Sequence, residues 1–141
     1  MAYWLAKTEP NTFSWQDLVR LGQDMWEGVR NYQASNFLGQ MRPGDKMFIY
    51  HSGRERAVIG VAEVISEPYS DPTAEDARWN TVNVKAAAPL KRPVTLREIK
   101  SSTAFDEFLL VKQSRLSVLP VSHAHWQEIL SMGEGLGRLR P

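Results

Sequence analysis

The run Trp26-Glu27-Gly28-Val29-Arg30-Asn31-Tyr32-Gln33-Ala34-Ser35-Asn36-Phe37 concentrates aromatic rings, a guanidinium and side-chain amides in one short stretch. Asn and Gln carry a donor and an acceptor each, so they can pair with both kinds of group on a base edge. Aromatic faces hold planar or cationic ligands. That is recognition chemistry. The same residues also fit a helix start capped by Asn31, with Tyr32, Phe37 and Leu38 turned to the core. Taken alone, they leave both readings open.

Other candidates lie apart in sequence. On an opening strand Lys7 and Glu9 share a face with Leu5, while Trp4 and Ala6 look the other way. The pair is either a surface ion pair worth under about 1 kcal/mol or a donor and an acceptor beside an aromatic wall. Arg115 is a solvated charge or a fork for phosphate or carbonyl. Five Trp is a high number for this length. Trp15 and Trp126 are accounted for by helix packing, whereas Trp4, Trp26 and Trp79 are divided between core and pocket.

Catalytic patterns are weak. His51 and Ser52 are strand neighbours and face opposite ways, so they do not form a nucleophile and base pair. No Gly-x-Ser-x-Gly elbow occurs, and His51, His123 and His125 lack metal-ligand spacing. Gly133-Glu134-Gly135-Leu136-Gly137 lacks the Lys and the preceding strand of a phosphate loop. Lys7, Glu9 and His51 as acid-base groups of a small enzyme or metabolite-binding protein stand as a minor alternative.

Four separated motifs resemble the EVE-domain family: Trp4-Leu5-x-Lys7-x-Glu9-Pro10, Gly28 to Ala34 with Asn36, Tyr50-His51-Ser52, and Arg115-Leu116-Ser117-Val118. The resemblance covers roughly Tyr3 to Leu130. It implies an α+β, mainly β fold, a PUA-like open β-barrel (pseudobarrel) with short peripheral helices, related to YTH and SRA-type readers. It also implies a non-enzymatic nucleic-acid-binding module, without cofactor or metal, that reads a modified base such as 5-methylcytosine in an aromatic-walled pocket. On this resemblance Trp26, Tyr32 and Trp79 are the walls, and Asn31, Gln33, Ser52 and Glu9 read the base edge. Lys7, Arg30 and Arg115 meet phosphate or carbonyl, and His51 and Ser117 support them. Trp4, Asn36 and Tyr50 complete the expected ligand-binding set. Two positions depart from the family pattern. Ser35 stands where a basic residue is common, and Asn83 where Asp is common, which exchanges an acceptor for a group that also donates. A module for modified or single-stranded RNA is the alternative within the same resemblance.

The totals agree with a small globular reader. A chain of 141 residues suffices for one domain, expected over 3–132 with a flexible tail over 133–141. The 43% hydrophobic and 23% charged shares are ordinary for a soluble protein, and no apolar run is long enough for a membrane span. With no Cys, disulfides and thiolate metal sites are excluded, and a cytoplasmic location is expected. A net charge of +1 argues against a broad phosphate-gripping face, so nucleic-acid contacts should be local. Arg54 with Arg56, Lys91 with Arg92, and Lys112 with Arg115 are the candidate patches. A monomer is expected.

The elements that must position these groups follow from local signals. Residues 2 to 7 read as a strand stopped by Pro10. Ser14 with Asp17 starts a short helix, with Phe13 placed to staple to Leu18, and Gly22 ends it. A helix runs from Asn31 to about Gln40, and Arg42-Pro43-Gly44-Asp45 is a tight turn. Antiparallel strands are expected over 46–51 and 57–66, with Gly60 marking a bulge or a close approach. An irregular excursion spans 67–78. A strand then runs from Trp79 to Leu90, with Val82 and Val84 on one face and Thr81, Asn83 and Lys85 on the other. Thr95 with Glu98 boxes a helix over 95–101, Phe105 to Val111 is ambiguous, Leu116 to Val121 is a strand, and Ser122 caps a last helix ending at Gly133.

Overall fold

The computed structural model describes residues 1–139. Its first strand, β1 (Tyr3–Thr8), is an inner strand of a six-stranded mixed sheet, where Trp4, Leu5 and Ala6 are all buried. Helix α1 (Trp15–Leu21) follows with both halves of the Ser14/Asp17 capping box in place and Gly22 at its C-cap. A short strand β2 (Gln23–Met25) leads to the loop before α2 (Tyr32–Gln40), which Asn31 caps through its side chain to the Ala34 amide. The turn after α2 closes with an Asp45 N–H to Arg42 carbonyl bond of 3.0 Å.

Strands β3 (Lys46–His51) and β4 (Ala57–Val64) form the expected antiparallel pair. The excursion after β4 carries a two-stranded ribbon of β5 (Tyr69–Ser70) and β6 (Asn80–Thr81). Strand β7 (Asn83–Thr95) is longer than its composition suggests, continuing through Pro89 and Pro93 directly into the Thr95 cap of α3 (Leu96–Lys100). A 3-10 turn (Thr103–Phe105) and α4 (Leu109–Lys112) make the ambiguous stretch helical. Strand β8 (Val118–Val121) and helix α5 (His123–Met132) complete the elements, the latter capped by Ser122.

The large sheet has the order β2-β7-β4-β3-β1-β8. Only β1 and β3 run parallel among its pairs, so the C-terminal ends of these two strands emerge side by side. The sheet curls into an open half-barrel with short helices around it, the mainly β α+β architecture expected. Trp126 of α5 closes one side by stacking on Phe48 (3.7 Å between centroids) and Tyr3 (4.4 Å). From Gly133, where the sequence suggests a tail, the chain lies along the outer edge of β7. Gly133 and Gly135 carbonyls accept from Arg92 and Lys91, and Gly137 donates to Pro89.

Gly60 sits at a register irregularity and also at a close approach, since a Cβ there would lie 2.8 Å from two Trp15 indole carbons. Gly60→Ala therefore must displace a buried indole and is expected to cost about 2 kcal/mol; an unchanged thermal midpoint would show that Trp15 moves freely. Thr81 differs from the alternation expected of it. It is as buried as Val82 and Val84, because β6 and β7 are separate strands and its hydroxyl donates to the Trp26 carbonyl at 2.7 Å.

Candidate functional site

At the C-terminal end of β1 the sheet opens into a cleft of about 360 Å³. Lys7 and Thr8 come from β1, Thr12 and Phe13 from the turn after it, and Ser117 from the approach to β8. The other side is the continuous run from Asp24 to Asn31. The size falls in the range of roughly 300 to 1,000 Å³ usual for small-ligand sites. Trp26 and Phe13 form the aromatic part, meeting edge to face at 6.2 Å and 84°. Trp26 is held by its own backbone, whose N–H donates to the Val82 carbonyl while its carbonyl accepts from Thr81.

The loop that closes the cleft is tied down by Asp71 from the excursion. This buried carboxylate accepts from the Gly28 amide (2.8 Å), Arg30 Nη1 (3.1 Å) and both the amide and hydroxyl of Thr73. Burial alone would raise its pKa. The donors from Thr73, Gly28 and Arg30 outweigh that and hold it at about 2. Gly28 meets Asp71 with a φ of +86°, a conformation that only glycine adopts at little cost. Arg30 also reaches Thr73 Oγ1 and lies 5.9 Å from the Trp79 ring centroid, so the guanidinium bridges loop and excursion.

Charge inside the cleft is mixed. Lys7 is half-buried, its Nζ donating to the Ser114 carbonyl at 2.8 Å and lying 5.7 Å from the Tyr50 ring centroid. Burial pulls its pKa below the usual lysine value, so it is a poorly hydrated cation. Asp24 and Glu27 line the opposite side with acceptors. Asn31 is shared with a second, shallower hollow of about 320 Å³ formed with Gln33 and the segment from Lys112 to Leu116. Lys112 there pairs with Glu107, whereas Arg115 makes no side-chain hydrogen bond among the described residues. A nearly neutral cleft thus adjoins a basic shelf.

Of the residues singled out in the sequence, the structure brings Lys7, Trp26, Arg30, Asn31 and Ser117 to the cleft, and Gln33 and Arg115 to the shelf. The others lie outside both. Trp4 is buried, with its indole N–H donating to Asp45 at 2.9 Å. Glu9 accepts from the Asn11 amide in its own turn. Tyr32, which is exposed, stacks on the half-buried Trp79 at 4.9 Å and accepts from Arg78. Tyr50 is buried beneath Lys7. His51 is also buried: Nε2 accepts from the Trp15 amide, so Nδ1 carries the proton toward Glu55 at 2.9 Å. Its neighbour Ser52 donates its amide to the Thr8 carbonyl, and Asn36 is exposed on α2.

Sequence reasoning missed Asp24 and Thr12, which carry no motif. It assigned Phe13 only to helix packing. The departure at Ser35 is structural in this chain, for the side chain is buried and accepts from the Asn80 amide at 3.0 Å. Asn83 likewise uses its carbonyl to accept from Tyr69.

The curled mixed sheet with short helices around it is a PUA-like fold, and the cleft opens at the C-terminal end of its first strand. The EVE domain pattern matches residues 2–132, and the chain belongs to the EVE-domain family. It is 31% identical to chicken (Gallus gallus) thymocyte nuclear protein 1 over 166 aligned positions, covering 94% of this chain and 69% of that one. A crystal structure of an Agrobacterium tumefaciens protein superposes with a TM-score of 0.93 at 36% identity, covering 99% and 98% of the two chains. Human THYN1, solved in complex with DNA containing 5-methylcytosine, superposes with a TM-score of 0.88 at 30% identity over 95% and 98%.

Proposed function

We propose that this chain is a non-enzymatic nucleic-acid reader whose cleft accepts one nucleobase, a modified cytosine such as 5-methylcytosine, while the shelf meets the adjoining phosphates. The observation that carries this reading is the joining of a nearly neutral, aromatic-walled cleft to a basic shelf through Asn31. A base is flat, uncharged and rich in edge donors and acceptors. Carboxylates such as Asp24 and Glu27 accept from the exocyclic amine of cytosine, Met25, Val29 and Phe13 offer apolar surface to a methyl group, and Lys7 donates to a carbonyl. The human relative's complex supports the choice of base. A base in a duplex must be flipped out, which costs a few kcal/mol and is offset by stacking and edge bonds.

The test is quenching of Trp fluorescence by matched DNA and RNA oligonucleotides, each with and without a single 5-methylcytosine. Tighter binding of the methylated DNA is the expected result. Equal affinity for methylated and unmethylated strands contradicts base reading, and a preference for RNA of the same sequence transfers the reading to the 2′-hydroxyl polymer.

A further inference from the structure

At the same end of the sheet, beyond β3, lies a groove of about 460 Å³ between the β3–β4 hairpin and α3. Arg54 and Arg56 of the hairpin face Arg97 and Lys100 of the helix across it, and Glu55 is the one acid in the lining. Glu55 is turned to His51, 2.9 Å away. None of the four cations forms a side-chain hydrogen bond or an ion pair among the described residues, whereas Arg20, Arg30, Arg42, Lys46, Arg78 and Arg92 each pair with a carboxylate. In a chain whose net charge is only +1, this is a marked local excess. The backbone builds it, because the Leu96 amide donates to the Arg56 carbonyl at 2.8 Å and locks helix to hairpin. Arg56 has a φ of +45°, where glycine would be less crowded. The chain keeps a long cation there at a conformational cost.

The groove is a neighbour of the cleft. The Ser52 amide donates to the carbonyl of Thr8, which lines the cleft, and Ala57 of β4 pairs with Thr95 of β7 at the same end. From β1 to β7 is three strand spacings of about 4.8 Å, or roughly 14 Å. At about 3.4 Å of axial rise per nucleotide, that is on the order of four nucleotides of one strand. Tyr50 lies between the two, its ring under the Lys7 ammonium and its hydroxyl within the field of Arg56.

We propose that this groove is a second contact for the same nucleic acid, gripping backbone phosphates a few nucleotides from the base in the cleft. The inference rests on the base-reading proposal for its geometry. Base contacts then choose the site and the groove adds affinity without sequence information.

The test uses the full chain, a longer DNA duplex carrying one 5-methylcytosine, its unmethylated twin, and a trinucleotide centred on 5-methylcytosine. Arg97→Gln with Lys100→Gln is expected to weaken duplex binding roughly tenfold at low salt and to flatten the log K against log salt slope by about 2, near 0.9 per lost contact. The methylated-to-unmethylated ratio and the trinucleotide affinity stay as in the wild type. Arg56→Gly is expected to keep or raise the thermal midpoint and still weaken duplex binding, which separates folding from phosphate contact. Unchanged duplex affinity and slope in both variants, with methyl discrimination intact, overturns the groove alone. A wild type without methyl discrimination whose slope still falls in the variants overturns base reading and leaves the groove standing. A wild type that binds neither duplex overturns both.

Discussion

Asp71→Ala is expected to lower folding stability by about 3 kcal/mol and to release the loop that closes the cleft. The carboxylate is fully buried and gathers the Gly28 amide, the Thr73 amide and hydroxyl, and the Arg30 guanidinium. Removing it leaves these donors without their acceptor and a half-exposed cation without its partner, the situation in which breaking a buried pair is most damaging. The pH dependence has a definite sign. Its folded pKa of about 2 lies below the ordinary 3.8, so the contribution is complete above about pH 4 and disappears as pH falls toward 2. At 1.36 kcal/mol per unit the depression is worth about 2 kcal/mol. Urea unfolding of wild type and variant at neutral pH and near pH 2 should therefore give curves that converge in acid. Parallel curves would mean that Asp71 is not the anchor. Hydrogen exchange at the Gly28 amide should rise in the same variant.

Trp26→Ala is expected to cost about 3 kcal/mol of stability, as large-to-small changes at buried aromatic positions do, and to abolish selective binding. The indole is only 6% exposed and meets Phe13 edge to face, so it is both core and cleft wall. Because lost folding would mask lost binding, Trp26→Phe is the informative companion. It should stay folded, with the backbone bonds to Val82 and Thr81 intact, yet bind methylated DNA about tenfold more weakly if stacking contributes 1 to 3 kcal/mol. Wild-type affinity in Trp26→Phe, with the methyl preference intact, would remove the indole from the wall.

Local signals were readable because they act within three residues. The boxes at Ser14 with Asp17 and Thr95 with Glu98, and the caps at Asn31 and Ser122, formed as their spacing predicts. Strand β7 runs past the stop that Pro89 and Pro93 suggest. The segment from Gly133 to Gly137 bonds to Pro89, Lys91 and Arg92, and Pro93 falls in the register irregularity between the Val58–Val94 and Gly60–Pro89 pairs, where the ladder asks no amide of it. The site was legible as a stretch but not as a set. Tyr32 and Trp79 have the chemistry of pocket walls, yet they satisfy each other. Glu9, His51 and Trp4 each carry a hydrogen-bonding group, but those groups are already occupied, by their own turn, the Trp15 amide and Asp45. Asp71 lies 43 residues from Gly28, and no local pattern announces that partnership. Phe13 and Asp24 reach the cleft through the same kind of distant closure.

The most direct test of the cleft is an NMR titration of the isotope-labelled chain with a short DNA bearing one 5-methylcytosine. Nuclear Overhauser contacts are expected from the base methyl to the rings of Phe13 and Trp26, with amide shifts concentrated between Asp24 and Asn31 and at Lys7 and Ser117. Methyl contacts to other surfaces, or identical perturbations from the unmethylated strand, would contradict the assignment of this cleft to a modified base.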